Sequence, residues 1–262
     1  MIRPNRSHPL NAGRQSWWLA LPGIVGNGNV LADIWGSNPA YAITPTMPIA
    51  GLGPFGAAAH YDGSTQYARA SCPTLTAFTA VAWAKFDNFT GATILKNWGE
   101  TIAGYMHWDA STAGSGVVRA YVNSTSGGGG NVTAGNTLTA GTAYRLAVTA
   151  GGGNLALYCN GVSVGTGTYA GTLSSTLAYL AFGAKLDDAG AIPAITGAAY
   201  LAGTMGDVGL WNRALSATEI AQLDGEMRVG YPNLLVRDRV PVSLLLPATA
   251  RAPYYYRMIG AA

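Results

Sequence analysis

Only three glutamates, Glu100, Glu219 and Glu226, occur in the 262 residues, and none has a second acid two positions away on a strand-forming stretch. Glycoside hydrolysis by paired carboxylates needs two such groups about 5–5.5 Å apart in the retaining case, and alternate positions of one strand would supply them. That arrangement is missing. The three histidines, His8, His60 and His107, do not have the spacing of a zinc site, and no Ser–His–Asp or Cys–His set is suggested. The glycine runs lack a following Lys-Ser/Thr and are therefore turns, not phosphate loops. The chemistry left to this chain is binding rather than catalysis, and the expectation is a non-enzymatic protein.

Binding chemistry has candidates. Trp98, Trp108 and Tyr105 lie close in sequence to Asn97 and Asp109. An exposed aromatic ring stacks on the apolar face of a sugar, and neighbouring amide and carboxylate groups take its hydroxyls. The competing assignment for these aromatics is the hydrophobic core. Nucleic acid is not expected. The net charge is +3, and the arginines at 3, 6, 14, 237, 239, 251 and 257 are dispersed along the chain ends, without interleaved aromatic platforms except at 254–256.

The elements that would position these residues are strands. Charged residues make up 10% of the chain and glycine contributes 36 residues, so Thr, Ser, Asn and Gly must supply the polar surface. Such a composition suits strands and turns. "YRLAVTA" (144–150) alternates Tyr144, Leu146 and Val148 with Arg145, Ala147 and Thr149, the pattern of a half-buried strand. "GGGN" (151–154) turns the chain and "LALYCNG" (155–161) returns it as a hairpin. "FTAVAWAKF" (78–86), "GYMHW" (104–108), "VVRAYV" (117–122) and "LAYLAF" (177–182) read as further strands. The spacing of Gly-rich turns is that of a sandwich. One helix is expected after Trp211. Ser216 and Glu219 form a capping box, Leu215 and Ile220 a hydrophobic staple, and Leu223 extends the apolar stripe. Cys159 continues the strand's apolar face and reads as a buried free thiol; Cys72 cannot be paired with it from sequence. Asn88, Asn123 and Asn131 occupy N-x-T sequons, the chance product of a chain rich in Asn and Thr. No secretion signal or bilayer-length apolar run is read.

Several segments together resemble the LamG-like, concanavalin A-like jelly-roll family. They are "HYDGSTQYARA" (60–70) with its Asp62-Gly63 turn, "FTAVAWAKF" with Trp83, "ATILKNW" (92–98), "LYCNG", and above all the closing "LAGTMGDVGLWNRALSATEI". The resemblance covers about 16–228 and implies a two-sheet antiparallel jelly roll in which the closing strand delivers Trp211 to the core and the helix plugs one end. Two departures stand out. Of the acidic pair usual on the closing strand only Asp207 remains, beside Gly206, and a basic residue common three positions later is Gly209. The family often places calcium near the loop that here carries Asp187 and Asp188, so these acids with Asp207 are the candidate ligands for Ca2+. The opening "NRSHPL…SWWLALPG…LADIWGSN" is similar to the start of phage and prophage LamG-like proteins, with His8-Pro9-Leu10 and an Asp33-x-x-Gly36 turn.

That resemblance implies a virion structural protein, in the capsid as a decoration or in a tail or fibre; the alternative it implies is a carbohydrate-binding adhesion module acting on surface glycans. The chain divides into an arm (1–15), a jelly-roll domain (16–230) and a proline-rich tail (231–262). Arg3, Arg6, Leu244, Leu245, Leu246, Tyr254, Tyr255 and Tyr256 are the expected assembly residues. An apolar tail of this kind needs a surface to cover, on its own domain or on another subunit, and homo-oligomerisation is expected.

Overall fold

The computed structural model describes residues 2–20, 29–36, 38–44, 53, 58–97, 106–110, 114–124, 129–173, 179–184 and 200–237. Its strands are β1 (Ile2–Pro4), β2 (Arg14–Leu19), β3 (Asn29–Asp33), β4 (Ala40–Thr44), β5 (Ala59–Asp62), β6 (Tyr67–Ser71), β7 (Phe78–Phe86), β8 (Thr93–Asn97), β9 (Met106–Asp109), β10 (Val117–Val122), β11 (Gly130–Thr137), β12 (Ala143–Gly151), β13 (Asn154–Cys159), β14 (Val162–Thr168), β15 (Tyr179–Phe182), β16 (Ala202–Trp211) and β17 (Leu235–Arg237). One helix, α1 (Ala217–Arg228), follows β16. The first sheet runs β14-β13-β12-β7-β16-β2-β3, with β5 also on β16; the second runs β4-β6-β15-β8-β9-β10-β11. Every pairing is antiparallel, and β3 pairs with both β2 and β4, which joins the sheets along one edge. This is the two-sheet jelly-roll sandwich that the sequence leads one to expect.

The hairpin read at 144–161 is present in the expected register, with Gly151 opposite Asn154. Gly152 and Gly153 both have positive φ, 59° and 81°, the backbone of a type I′ turn whose twist matches that of the strands. Asp62 makes its turn by accepting from the Ser64, Thr65 and Gln66 amides at 2.8–3.0 Å.

The core lies between the sheets. Phe78, Ala80, Ala82, Ala84 and Phe86 of β7 meet Trp108, Ala120, Val122 and Phe182 across the gap, all within 1% of full burial. The first sheet is apolar on its outer face too. There Trp17, Val81, Ala147, Tyr158 and Trp211 form a second cluster with Leu10, Leu215, Ile220, Leu223, Met227, Tyr231 and Leu234. Two expectations change as a result. Strand β12 is buried on both faces from Leu146 to Ala150 rather than half-buried. Trp211 points away from the sandwich, because Leu210 and Val208 take the inward positions, and α1 lies over the outer face instead of plugging an end.

The capping box is formed. Ser216 Oγ accepts from the Glu219 amide at 3.3 Å, and Glu219 Oε2 accepts from the Ser216 amide at 2.9 Å. Asp224 holds the helix to β12 through an ion pair with Arg145. Losing an N-cap costs about 1 kcal/mol, so Ser216→Ala is expected to lower the unfolding free energy by about that amount in urea titrations.

The chain ends, read as an arm and a tail flanking the jelly-roll domain, belong to this second layer as far as they are described. β1 pairs with β17, Leu10 and Asn11 are buried, and the Trp211 indole donates to Leu10 O at 2.8 Å. The outer face of the first sheet is too apolar to face water, and residues 2–12 and 231–235 cover it. Residues 238–262, with Leu244, Leu245, Leu246 and Tyr254–Tyr256, lie outside the described residues. Cys72 and Cys159 are not joined in a disulfide, and Cys159 is buried.

Candidate functional site

The outer face of the second sheet carries the polar cluster best placed to meet a ligand. Alternation along β9 and β10 produces it: Trp108, Val118, Ala120 and Val122 face the core, so His107, Asp109, Arg119 and Tyr121 face outward. The ladder sets Arg119 opposite Asp109 and Tyr121 opposite His107. Arg119 Nε donates to Asp109 Oδ1 at 2.8 Å and to Oδ2 at 3.1 Å, and its Nη1 donates to the Tyr121 hydroxyl at 3.2 Å. His107 Nε2 lies 3.0 Å from Asp109 Oδ2. The His107 and Tyr121 rings stack at 5.6 Å with 28° between planes.

The exposure is graded. Asp109 is 1% exposed, whereas the His107 and Arg119 side chains are 19% and 27% exposed. Burial acts to raise the Asp109 pKa, but the His107 hydrogen bond and the Arg119 guanidinium outweigh it and hold the carboxyl below its usual value. Burial depresses His107, and the neighbouring Lys96 and Arg119 charges add to this against the pull of Asp109. The patch therefore presents a neutral imidazole, a phenol and a guanidinium, each fixed by a partner. Among the described residues it holds one carboxylate, while two-carboxylate hydrolysis needs a second beside it.

Asp109 is the one described member of the sugar-binding expectation that belongs to this patch. Trp108 is fully buried in the core and cannot stack on a ligand, because it alternates with His107 and Asp109. Asn97 is also fully buried, and its amide donates to Tyr179 O at 2.7 Å. Trp98 and Tyr105 lie outside the described residues. His107, Arg119 and Tyr121 were not expected. The signal for them was the alternation of "MHWD" and "VRAY", which becomes informative only when the cross-strand pairing is known.

The calcium expectation does not hold at Asp207. A β-bulge between Gly206 and Gly209 adds a residue to β16, and Asp207 occupies it at φ 53°. The bulge turns the carboxyl to the outer face of the first sheet, where it is 2% exposed. Oδ1 accepts from the Trp17 indole at 2.7 Å and Oδ2 from the Tyr231 hydroxyl. Burial pushes this carboxyl up to about 6 despite those donors and the nearby Arg14 charge. Both oxygens are thus committed, one to Trp17 of β2 and the other to Tyr231 after the helix. Arg14 is itself buried, its guanidinium 3.8 Å from the Trp17 ring centre and 4.0 Å from that of Trp211. It brings a cation from β2 to the region where Gly209 lacks the family's usual basic side chain. Asp187 and Asp188 lie outside the described residues, and no group of three or more potential metal-ligating side chains occurs among the described ones.

Of the assembly residues, Arg3 sits in β1 opposite Val236. Arg6 is exposed, with its guanidinium 4.5 Å from the Trp35 ring centre.

The laminin G type family model described as the concanavalin A-like lectin/glucanases superfamily matches residues 62–221. The chain belongs to this superfamily. Solved structures of similar shape include two toxin binding domains and one domain of an arabinanase. The binding domain of botulinum neurotoxin DC, in complex with SialylT, has a TM-score of 0.60 at 10% identity over 83% of this chain and 52% of its own. The binding domain of Paraclostridial Mosquitocidal Protein 1 has a TM-score of 0.63 at 11% identity over 82% and 52%. Domain 4 of the arabinanase AbnA from Geobacillus stearothermophilus, in complex with arabinotriose, has a TM-score of 0.59 at 16% identity over 80% and 98%. The chain therefore spans about half the length of the two toxin domains and nearly all of the arabinanase domain. At these identities the likeness is one of fold. No curated protein sequence matches the chain.

Proposed function

We propose that this superfamily member is a non-catalytic, lectin-like module that binds a glycan on the outer face of its second sheet. The observation that carries the reading is the His107–Asp109–Arg119–Tyr121 patch. It is a fixed set of donors, acceptors and ring edges on a sandwich whose other outer face is covered by its own helix and chain ends. Groups held by strand pairing lose little freedom on binding, which favours affinity. The glycan complexes of the toxin and arabinanase domains support the ligand class. A glycan array probed with the full chain is expected to show specific binding. Losing a hydrogen bond to a charged group costs about 1.5–3 kcal/mol, so Arg119→Ala is expected to weaken the best hit at least about tenfold. An array without hits, or binding indifferent to Arg119→Ala and Tyr121→Ala, contradicts the reading.

A second reading concerns where the module works. The two motifs of the phage-like resemblance both lie in hydrogen-bonded turns: His8 Nδ1 accepts from the Leu10 amide at 3.2 Å, and Asp33 accepts from the Trp17, Trp35 and Asn38 amides at 2.9–3.3 Å. Pairing of β1 with β17 also places Arg237, the last described residue, beside Ile2. These features support a component of a phage particle, in capsid, tail or fibre, that joins neighbouring subunits through its C-terminal tail. A chain ending at Arg237 is then expected to fold and bind glycan as before but to be absent from purified particles by quantitative mass spectrometry. Unimpaired incorporation contradicts this role for the tail.

A further inference from the structure

We propose that the groove between the N-terminal arm and α1 receives the Tyr254–Tyr256 segment of a second copy of this chain, so that subunits join tail into groove. The inference rests on the reading that the tail joins neighbouring subunits, and it names the surface the tail meets. The groove has a volume of about 460 Å³. His8, Pro9 and Leu10 line one side, and Gln222, Gly225 and Glu226 of α1 line the other. Both walls belong to the layer that covers the first sheet, anchored there by Leu10, Leu223 and Met227.

Gly225 is the residue that calls for a partner. It is exposed, lies within α1 and does not have a positive φ, and glycine in that setting costs helix stability relative to alanine. Nothing inside the chain asks for it. A Cβ at this position would meet nothing within 4 Å beyond the helix's own backbone, and the glycine that ends the helix is Gly230, at φ 76°. A bare helix surface facing open space lets another backbone come close. Glu226 beside it lacks a cation. Its Oε2 accepts from the Asn233 amide at 3.0 Å and its Oε1 from Asn233 Nδ2, both neutral donors, and it enters no ion pair among the described residues. His8 Nδ1 accepts from the Leu10 amide, so the ring proton lies on Nε2, which is left to donate.

The tail offers what this groove takes. Residues 238–262 carry Arg239, Arg251 and Arg257 against the single carboxylate of Asp238, and Arg251 and Arg257 flank Pro253 and the three tyrosines. Tyrosine and arginine are the residues that carry binding energy at interfaces, and an arginine on Glu226 makes a charge-assisted bond. Reach selects a neighbour's groove over the chain's own. Arg237 lies opposite Ile2, and His8 is a few residues further on, at most about 20 Å away. Residues 238–253 precede the tyrosines and extend up to about 50 Å. That is far more than the chain's own groove requires, and it spans the gap to an adjacent subunit.

Sedimentation velocity of the full chain over a concentration series tests the inference. The wild type is expected to self-associate. Gly225→Leu fills the floor of the groove and is expected to weaken association at least about tenfold, the size of a hot-spot loss. Its melting temperature is expected to hold or rise, because leucine is the better helix former and meets open space. A chain carrying Tyr254→Ala, Tyr255→Ala and Tyr256→Ala together is expected to lose association to the same extent. One variant keeps the tail and the other keeps the groove. Mixed in equal amounts, they are expected to form a one-to-one dimer, since a heterologous contact needs one intact patch from each partner. A monomeric wild type, association untouched by Gly225→Leu, or a mixture without the dimer overturns the inference; the last is the result for a tail docked in its own groove. If residues beyond Arg237 prove dispensable for incorporation into particles, the tail-joining reading falls and this inference with it. If they are required while Gly225→Leu associates as the wild type does, only the groove is wrong.

Discussion

Replacing Asp207 with alanine is expected to lower the unfolding free energy by about 3–5 kcal/mol, the range for breaking a buried charged pair by removing one partner. Three buried groups depend on this carboxylate. The Trp17 indole and the Tyr231 hydroxyl lose their acceptor, and Arg14, fully enclosed with its Nε and one Nη lacking hydrogen-bond partners among the described residues, loses a nearby countercharge. The tryptophan faces on either side of Arg14 supply part of the stabilisation a cation needs, but not the missing charge. Urea unfolding measures the loss, and a change under about 1 kcal/mol would mean that the cluster is a passive filler. Asp207→Asn separates charge from shape, since Asn tolerates the positive φ and retains an acceptor. The Asp207 pKa is raised from 3.8 to about 6. Its protonation therefore contributes stability that is fully present below pH 3.8 and is lost as pH rises through about 6. The Asn variant is expected to flatten the melting temperature across that window.

Gly167→Val is expected to cost about 3 kcal/mol, at the upper end for overpacking. At the edge away from β3, the end strands of the two sheets, β11 and β14, press against each other through glycine. A Cβ at Gly167 would lie 2.6 Å from Asn131 O, and one at Gly165 would lie 2.8 Å from Thr133 O. The obstructing atoms belong to the backbone of a strand, so relief requires the sheets to part. This contact guards an otherwise open edge, and open edges invite aggregation. Guanidinium unfolding and light scattering of the variant measure both consequences. Wild-type stability in the variant would show that the edge is not held shut by this contact.

The sequence carried most of the sandwich because period-two alternation and glycine turns are local signals. β7 and β10 run over the residues read from "FTAVAWAKF" and "VVRAYV", and the Ser216–Glu219 box marks the start of α1. What it did not carry was depth. Alternation says that Trp211 and Leu210 face opposite ways but not which way is the core, and a sheet buried on both faces makes the two alternatives look alike. The bulge at Asp207 inserts one residue and reverses a carboxyl's direction, a change that no periodicity reports. The site was hidden for a related reason. Aromatic rings near polar residues pointed to Trp108 and Asn97, whereas the outward cluster is assembled from β9 and β10 and needs their cross-strand register.

Following the His107 imidazole and Tyr121 ring resonances by NMR, while titrating the best array ligand into the full chain, tests the central claim most directly. The account predicts saturable shifts at His107 and Tyr121, with the Trp17 and Trp211 indole signals unmoved on the opposite, covered sheet. Ligand shifts confined to the tryptophan cluster, or to residues away from β9 and β10, would contradict the placement of the binding site on the second sheet.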